Sequence, residues 1–418
     1  MINKIVSYIM VVCLFCAVPQ VVFADETVIT SPHAVLMEAS TGKIIYEKEK
    51  DVQVSPASIT KIMTLLLIFD EIANQHDEED TYIEKKPDGT FVMNGMTPLE
   101  EVGEALNLDF EDEVTTSAYA KSMGGSQVYL EEGEKQSVET MIKCIVIASG
   151  NDASVAMAEH ICGSETEFVK RMNARAKSLG MEHTNFEDCC GLTDSDNHYT
   201  TAYDVALMSK ELITKYPKIL DYSSVWMETI THHTNRGDSE FGLTNTNKLI
   251  RGYDGCVGLK TGSTSKAKYC VSAVAKRNGL TLISVIMTAP DYKARFQDGA
   301  TLLNLGFATC SLYEDKSTVK KKVPVKKSVQ REGICENKKK FSYLDTEGKS
   351  LSKIEKKIQL KESVEAPVTK GMKAGEIQYY LENEKIGSID LVFSQNIKKA
   401  RYVDYLKMVL EKFFRNRD

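Results

Sequence analysis

Beyond its first two dozen residues the sequence has no apolar run long enough to cross a bilayer, no C-x-x-C pair and no cluster of histidine with cysteine. Each absence excludes something. A spanning helix needs about 20 consecutive apolar residues, so any later attachment to a membrane would be peripheral. Without grouped sulfur and imidazole ligands, neither a metal centre nor a cofactor is expected. A surplus of positive charge is also missing. The chain carries 59 acidic against 52 basic residues, a net charge of −7, which disfavours a polyanion-binding or nucleic-acid-binding catalytic region.

The opening MINKIVSYIMVVCLFCAVPQVVFA has an early Lys4, an apolar core and small residues at Val22 and Ala24. It reads as a secretory signal, residues 1–24, cleaved after Ala24. Export permits disulfides. Cys13 and Cys16 leave with the signal, and eight scattered cysteines remain. The adjacent Cys189 and Cys190 hint at one bond, but buried thiols are the expected outcome in a chain with a large core. Charge is unevenly divided. From Ser311 onward 25 lysines and arginines face 16 aspartates and glutamates, so the C-terminal part is basic and suits an anionic membrane surface.

The stretch SPASITKIMTLLL, residues 55–67, is built for burial, yet holds Ser58 and Lys61 three residues apart. Ser55 can cap a helix, Pro56 suits its first position, and Ser58 then falls in the first turn beside Lys61. A lysine among Ile62, Met63, Leu65, Leu66 and Leu67 is costly as a cation and can lose its proton. A neutral amine next to a hydroxyl can make that serine a nucleophile. Ser-x-x-Lys also recurs at Ser40, Ser263, Ser265, Ser317 and Ser350. Only the copy at Ser58 opens a long apolar helix.

Elsewhere, HAVLMEASTGKIIYEKEK (33–50) alternates on both sides of Ser40-Thr41-Gly42 and predicts a hairpin. An acidic stretch, 73–90, reads as an exposed insertion. VETMIKCIVIA predicts a helix that breaks at Ser149-Gly150-Asn151 and resumes as DASVAMAEHI. Residues 255–264, 268–276 and 280–288 predict strands, the last two joined at Asn278-Gly279. Residues 293–308 predict a closing helix. The expected architecture is α/β: an antiparallel sheet flanked by helices over 25–310, a small all-β domain over 311–395, and an amphipathic helix over 396–418. In the tail Val403, Leu406, Leu410, Phe413 and Phe414 share a face, with Lys407, Lys412, Arg415 and Arg417 around them. That pattern fits a helix lying in a membrane interface.

Ser58-Ile-Thr-Lys61, Ser149-Gly-Asn151 and Lys260-Thr-Gly262 stand in this order on predicted helix, loop and strand. With the flanks SMGGSQVYLEEGE, NTNKLI and APVTKGMKAGEIQYYL, the chain resembles the serine penicillin-recognising enzymes. Within them it resembles the low-molecular-mass penicillin-binding proteins, D-alanyl-D-alanine carboxypeptidases of transpeptidase fold. The resemblance implies a peptidoglycan stem pentapeptide as substrate and β-lactams as covalent inhibitors. It implies that Ser58 is acylated, Lys61 takes its proton, Ser149 relays a proton to the leaving D-alanine and Asn151 holds the substrate amide. It makes Lys260 a fixed cation and gives the terminal carboxylate to Thr261 and Thr264. The backbone N–H groups of Ser58 and Ser263 would form the oxyanion hole, and Gly262 would leave room for peptide along the strand edge. His198, His232 and His233 read as surface or loop residues without chemistry. Two rivals stand beside this reading. A β-lactamase would lack the β-domain and tail. A non-catalytic wall-binding protein would be expected to have lost Ser58, Lys61 or Lys260.

Overall fold

The computed structural model describes residues 29–77, 83–85, 91–93 and 108–415. The signal segment and much of the 73–90 stretch lie outside the described residues. At the centre is a five-stranded antiparallel sheet in the order Ile44–Lys48, His33–Glu38, Leu280–Ala289, Lys268–Arg277, Cys256–Thr264. The hairpin over 33–50 forms around a buried carboxylate. Glu38 accepts from Ser40 N at 2.9 Å, Thr41 N at 2.7 Å and Thr41 Oγ1 at 2.6 Å, which closes the turn. Asn278 and Gly279 take positive φ between the two long strands, with Arg277 opposite Leu280. That is the twisted two-residue turn their identity predicts.

The sheet is buried on both faces, and its period of two sorts side chains between two cores. Leu36, Val271, Ala273, Leu282 and Ile286 pack with Leu302 and Leu303 of the closing helix Ala294–Thr309. Val35, Met37, Val274, Ile283 and Val285 face a larger core shared with the helices. Those helices are Lys61–Asp77, Val138–Val146, Asn151–Cys162, Glu165–Ser178 and Ala202–Lys215. Polar contacts tie three of them together: Arg175 reaches Asp70 at 2.7 Å and Glu211 at 2.6 Å, and Lys215 reaches Asp70 at 2.8 Å. Cys189 and Cys190 are both buried thiols.

Past Cys310 a six-stranded sheet runs in the order Glu355–Leu360, Lys373–Leu381, Glu384–Phe393, Glu332–Asn337, Lys320–Lys326, Val364–Glu365. Its core holds Val323, Cys335, Ile377, Tyr379, Leu391 and Phe393, with Phe341 stacked on Tyr379 at 3.7 Å between centroids. A helix, Tyr402–Arg415, follows. Its described apolar side chains Val403, Leu406 and Leu410 are exposed. The side chains of Lys412, Phe413, Phe414 and Arg415 lie outside the described residues, as does Arg417. No helix among the described residues is long and apolar enough to cross a membrane.

Candidate active site

The start of the nucleophile helix differs from the sequence expectation. The α-helix begins at Lys61, and Ser58 sits one step earlier in a single 3-10 turn, Ala57–Thr60, which no side chain caps. Ser55 is therefore not its cap. Ala57 takes φ +47, a left-handed conformation that costs roughly 1–2 kcal/mol for a residue with a Cβ. Two glycines press on this turn. A methyl group on Gly191, itself at φ +76, would lie 1.8 Å from Ala57 O. A methyl on Gly262 would lie 2.9 Å from Ser58 N and 3.0 Å from Ile59 N. The Lys260-Thr-Gly262 strand thus passes against the nucleophile turn, and only a glycine there allows the approach. That strand, Cys256–Thr264, is the last in the sheet order, so its outer edge faces the cleft.

Lys61 is fully buried, and its amine has three neighbours: Ser58 Oγ at 3.0 Å, Asn151 Oδ1 at 2.6 Å and Cys190 O at 2.8 Å. Burial pushes its pKa down, with Asp188 and Asp152 among the groups pulling it back up. The geometry says where the missing proton would be. The Asn151 and Cys190 oxygens can only accept, so a neutral amine gives its two N–H bonds to them. Its lone pair then faces Ser58 Oγ, the one neighbour with a proton to yield. Asp188 shapes the loop behind, accepting from Leu192 N at 2.9 Å and Thr193 N at 2.7 Å as well as from Cys190 N at 3.0 Å.

Ser149, at φ +67, and Asn151 follow from the break between two buried helices. Ser149 lines a cleft of about 280 Å³ together with Ser58, Ser126, Thr261, Gly262 and Ser263. Asn151 is not on that wall. Its Oδ1 holds Lys61 and its Nδ2 donates to Gly124 O at 2.6 Å, so in this structure it bridges the amine to the 122–126 loop rather than opening its carbonyl to a substrate. Thr261 donates to Thr246 Oγ1 at 2.7 Å in the cleft. Thr264 is turned away and accepts from Ala267 N at 3.0 Å, so the structure does not bring it to the cleft with Thr261.

Lys260 is also fully buried, with Thr261 O at 3.1 Å. Burial is the main cause that drives its pKa well below that of an ordinary lysine, and the Arg295 charge adds to it. Burial therefore works against the fixed positive charge expected of Lys260. Repulsion between Lys260 and Arg295 falls on the amine, because a guanidinium does not give up its proton. The fixed cation is Arg295. It is 4% exposed, lines the cleft with Tyr292, and donates to Gly262 O at 3.1 Å and Cys270 O at 3.3 Å. Its guanidinium lies 4.7 Å from the Tyr292 ring centroid. Sequence reasoning passed over Arg295. The available signal was a charge on the buried stripe of the closing helix, in register with Asp298, Leu302 and Leu303.

His198 lies in a loop, as expected, whereas His232 is in the strand Met227–Thr234, and both are buried. His198 Nδ1 accepts from Glu187 N at 3.0 Å, which leaves Nε2–H to donate to Thr60 Oγ1 at 2.9 Å, inside the nucleophile turn. Burial lowers its pKa and favours this neutral ring. His232 is buried too, 2.8 Å from Glu134; His233 is exposed, as expected.

Comparison with known proteins agrees with this geometry. The D-alanyl-D-alanine carboxypeptidase family model matches residues 20–88 and 92–291, and the C-terminal domain of penicillin-binding protein 5 matches residues 307–399. The D-alanyl-D-alanine carboxypeptidase DacF of Bacillus subtilis is 37% identical over 380 residues, covering 90% of this chain and 88% of that protein. DacA of Escherichia coli is 28% identical over 393 residues, covering 91% and 88%. Among solved structures, penicillin-binding protein 5 from Haemophilus influenzae superposes with a TM-score of 0.67 at 26% identity, covering 89% of this chain and 98% of the other.

Proposed function

The chain belongs to the D-alanyl-D-alanine carboxypeptidase family, and from that premise we propose that it removes the terminal D-alanine from peptidoglycan pentapeptides through an acyl-enzyme on Ser58. The observation that carries this reading is the Lys61 amine, fully buried and held by two pure acceptors so that its remaining position faces Ser58 Oγ.

In the proposed mechanism Ser58 Oγ attacks the carbonyl between the two D-alanines and Lys61 accepts its proton. The Ser58 and Ser263 N–H groups receive the oxyanion; losing one such donor typically costs about 3 kcal/mol of transition-state stabilisation. Ser149 passes a proton to the leaving nitrogen. Thr261 and Arg295 take the terminal carboxylate, whose negative charge opposes the burial that depresses Lys260 and favours its charged form. Gly262 keeps the strand edge open to the peptide, and Asn151 positions Lys61. Water then releases the acyl group, with Lys61 as base. A β-lactam acylates Ser58 in the same way, but its leaving nitrogen stays tethered to the acyl group and obstructs that water.

The proposal extends to location: export behind the 1–24 signal and peripheral attachment to the outer face of the cytoplasmic membrane through the C-terminal helix. Support comes from the exposed Val403, Leu406 and Leu410 and from the basic composition of the C-terminal part.

The test is incubation with a fluorescent penicillin and, in parallel, release of D-alanine from a defined pentapeptide. Stable labelling with D-alanine release is expected. Transient labelling with rapid penicillin turnover would indicate a β-lactamase, and no labelling would indicate a non-catalytic binder.

A further inference from the structure

The Ala57–Thr60 turn carries Ser58, yet no side chain caps it and Ala57 holds a left-handed conformation within it. Among the described residues, one side-chain hydrogen bond ties this turn to a segment distant in sequence. It joins Thr60 Oγ1 to His198 Nε2 at 2.9 Å. Thr60 is fully buried and stands between Ser58 and Lys61 in the chain.

The rest of His198 is fixed as firmly. Its Nδ1 accepts from Glu187 N at 3.0 Å, and Phe186 meets the ring edge to face at 5.8 Å. A backbone N–H can only donate, so the neutral ring with its proton on Nε2 is the form that serves Glu187 and Thr60 together. The backbone after His198 is pinned at two successive residues. Tyr199 exchanges both backbone hydrogen bonds with Asn185, and Thr200 exchanges both with Val54, just ahead of the turn. The two ring nitrogens thus bridge two bodies. One is the nucleophile turn. The other is the 187–193 loop, whose Cys190 O lies 2.8 Å from the Lys61 amine and whose Cys189 O accepts from Thr64 Oγ1 at 2.5 Å. A single imidazole touches both the turn that carries the nucleophile and the loop that holds its base.

We propose that His198 is a positioning residue for acylation, a strut between the nucleophile turn and the 187–193 loop that sets the place of Ser58 Oγ relative to the Lys61 amine. It does not line the Ser58 cleft and acts through Thr60. This rests on the carboxypeptidase reading and adds to that site a residue outside the three motifs.

The two contacts of the ring can be removed one at a time. Asparagine places an acceptor where Nδ1 stood and nothing where Nε2 stood, so His198→Asn keeps the Glu187 contact and loses Thr60. Glutamine carries an amide donor out to the Nε2 position, so His198→Gln keeps Thr60 and loses Glu187. Thr60→Val removes the hydroxyl at nearly constant shape, and Thr60→Ser retains it. Folding of each variant is checked by circular dichroism and thermal melts. Acylation is followed by stopped flow over a range of fluorescent penicillin concentrations.

His198→Asn and Thr60→Val are expected to lower the maximal acylation rate by about 10²-fold, the effect of an error of roughly 1 Å in a reacting group. The penicillin concentration that gives half the maximal rate should not change. His198→Gln and Thr60→Ser should stay within about tenfold of the wild type, the scale of one ordinary hydrogen bond. The double variant His198→Asn/Thr60→Val should be no slower than the slower single one, because both changes remove the same bond. Equal slowing in His198→Asn and His198→Gln would overturn the strut, as would single effects that multiply in the double variant. A wild-type rate in Thr60→Val would overturn it even if the His198 variants failed to fold. Absence of labelling in the wild type would be the failure of the carboxypeptidase reading, whereas normal labelling with undiminished rates in the variants is a failure of the strut alone.

Discussion

At the scale of single residues the site is organised around two buried amines whose environments differ. Lys61 has Ser58, Asn151 and Cys190 around it; Lys260 has Thr261 O, full burial and the nearby charge of Arg295. Ser58→Ala is expected to abolish covalent penicillin labelling while leaving the circular dichroism spectrum unchanged, and mass spectrometry finding the adduct on another serine would reject the assignment. Lys61→Arg puts a permanent cation in place of the neutral amine and cannot act as a base, so acylation should fall by about 10²–10⁴-fold, the usual contribution of a general base. The pH dependence follows from the sign of the shift. Lys61 must be neutral to accept the Ser58 proton, so acylation should rise with pH. Because burial lowers its pKa, the rise should centre below the ordinary lysine value of 10.5. Stopped-flow penicillin acylation across pH measures this; a midpoint at or above that value would mean that Lys61 is not the group being titrated.

At the scale of elements, the nucleophile turn is held from outside. Ala57 and Ser149 both adopt left-handed backbone, and such strain persists only where the surroundings over-determine it. The 188–193 loop supplies part of that restraint: Asp188 gathers its N–H groups, Cys190 O fixes Lys61 and Gly191 abuts Ala57. Gly191→Ala should therefore displace the turn and slow acylation by about 10²-fold, the effect of an error of roughly 1 Å in a reacting group. Gly180→Ala is the control, since Gly180 has the same sign of φ but open space around it. It should cost stability without slowing acylation, and equal slowing in both variants would attribute the effect to backbone strain alone. In the all-β part, burial by itself would raise the Asp315 pKa, but hydrogen bonds from Lys356, Ser317 and Tyr379 outweigh it and hold the carboxyl well below the usual range. A depressed carboxylate contributes stability that is present above its unfolded pKa and lost as pH falls through the folded one. Asp315→Asn should cost roughly 1–3 kcal/mol at neutral pH and little in strong acid, as read by thermal melts at both pH values.

At the scale of the whole molecule, the catalytic region and the C-terminal helix are separated by the six-stranded sheet. Deleting residues 401–418 should leave D-alanine release from a soluble peptide intact and abolish co-sedimentation with anionic vesicles. Added salt should weaken binding of the full-length chain, because the basic side chains act through screened charge. Equal sedimentation of both forms would reject the anchor and assign the helix to packing or a partner.

The sequence by itself determined the elements and the identity of the reacting pair. Period-two alternation, the Asn278-Gly279 turn and the apolar run after Lys61 are local signals, and each forms as its own residues dictate. The order of the three motifs made the active site legible without any knowledge of where the chain folds back. Tertiary structure decided what depends on residues far apart in the chain. Ser58 falls in a 3-10 turn rather than an α-helical one, and Gly191 and Gly262, from two other segments, pack closely against that turn. Asn151 serves Lys61 because the 124 loop closes over its other end. Lys260 is pushed toward neutrality by its burial, and further by Arg295, 35 positions later in the sequence. His198 and His232 are buried by contacts with residues from other segments, Thr60 and Glu134 among them, which no spacing rule anticipates. Charge state and burial are sums over everything nearby in space, and that neighbourhood exists only once the chain has folded.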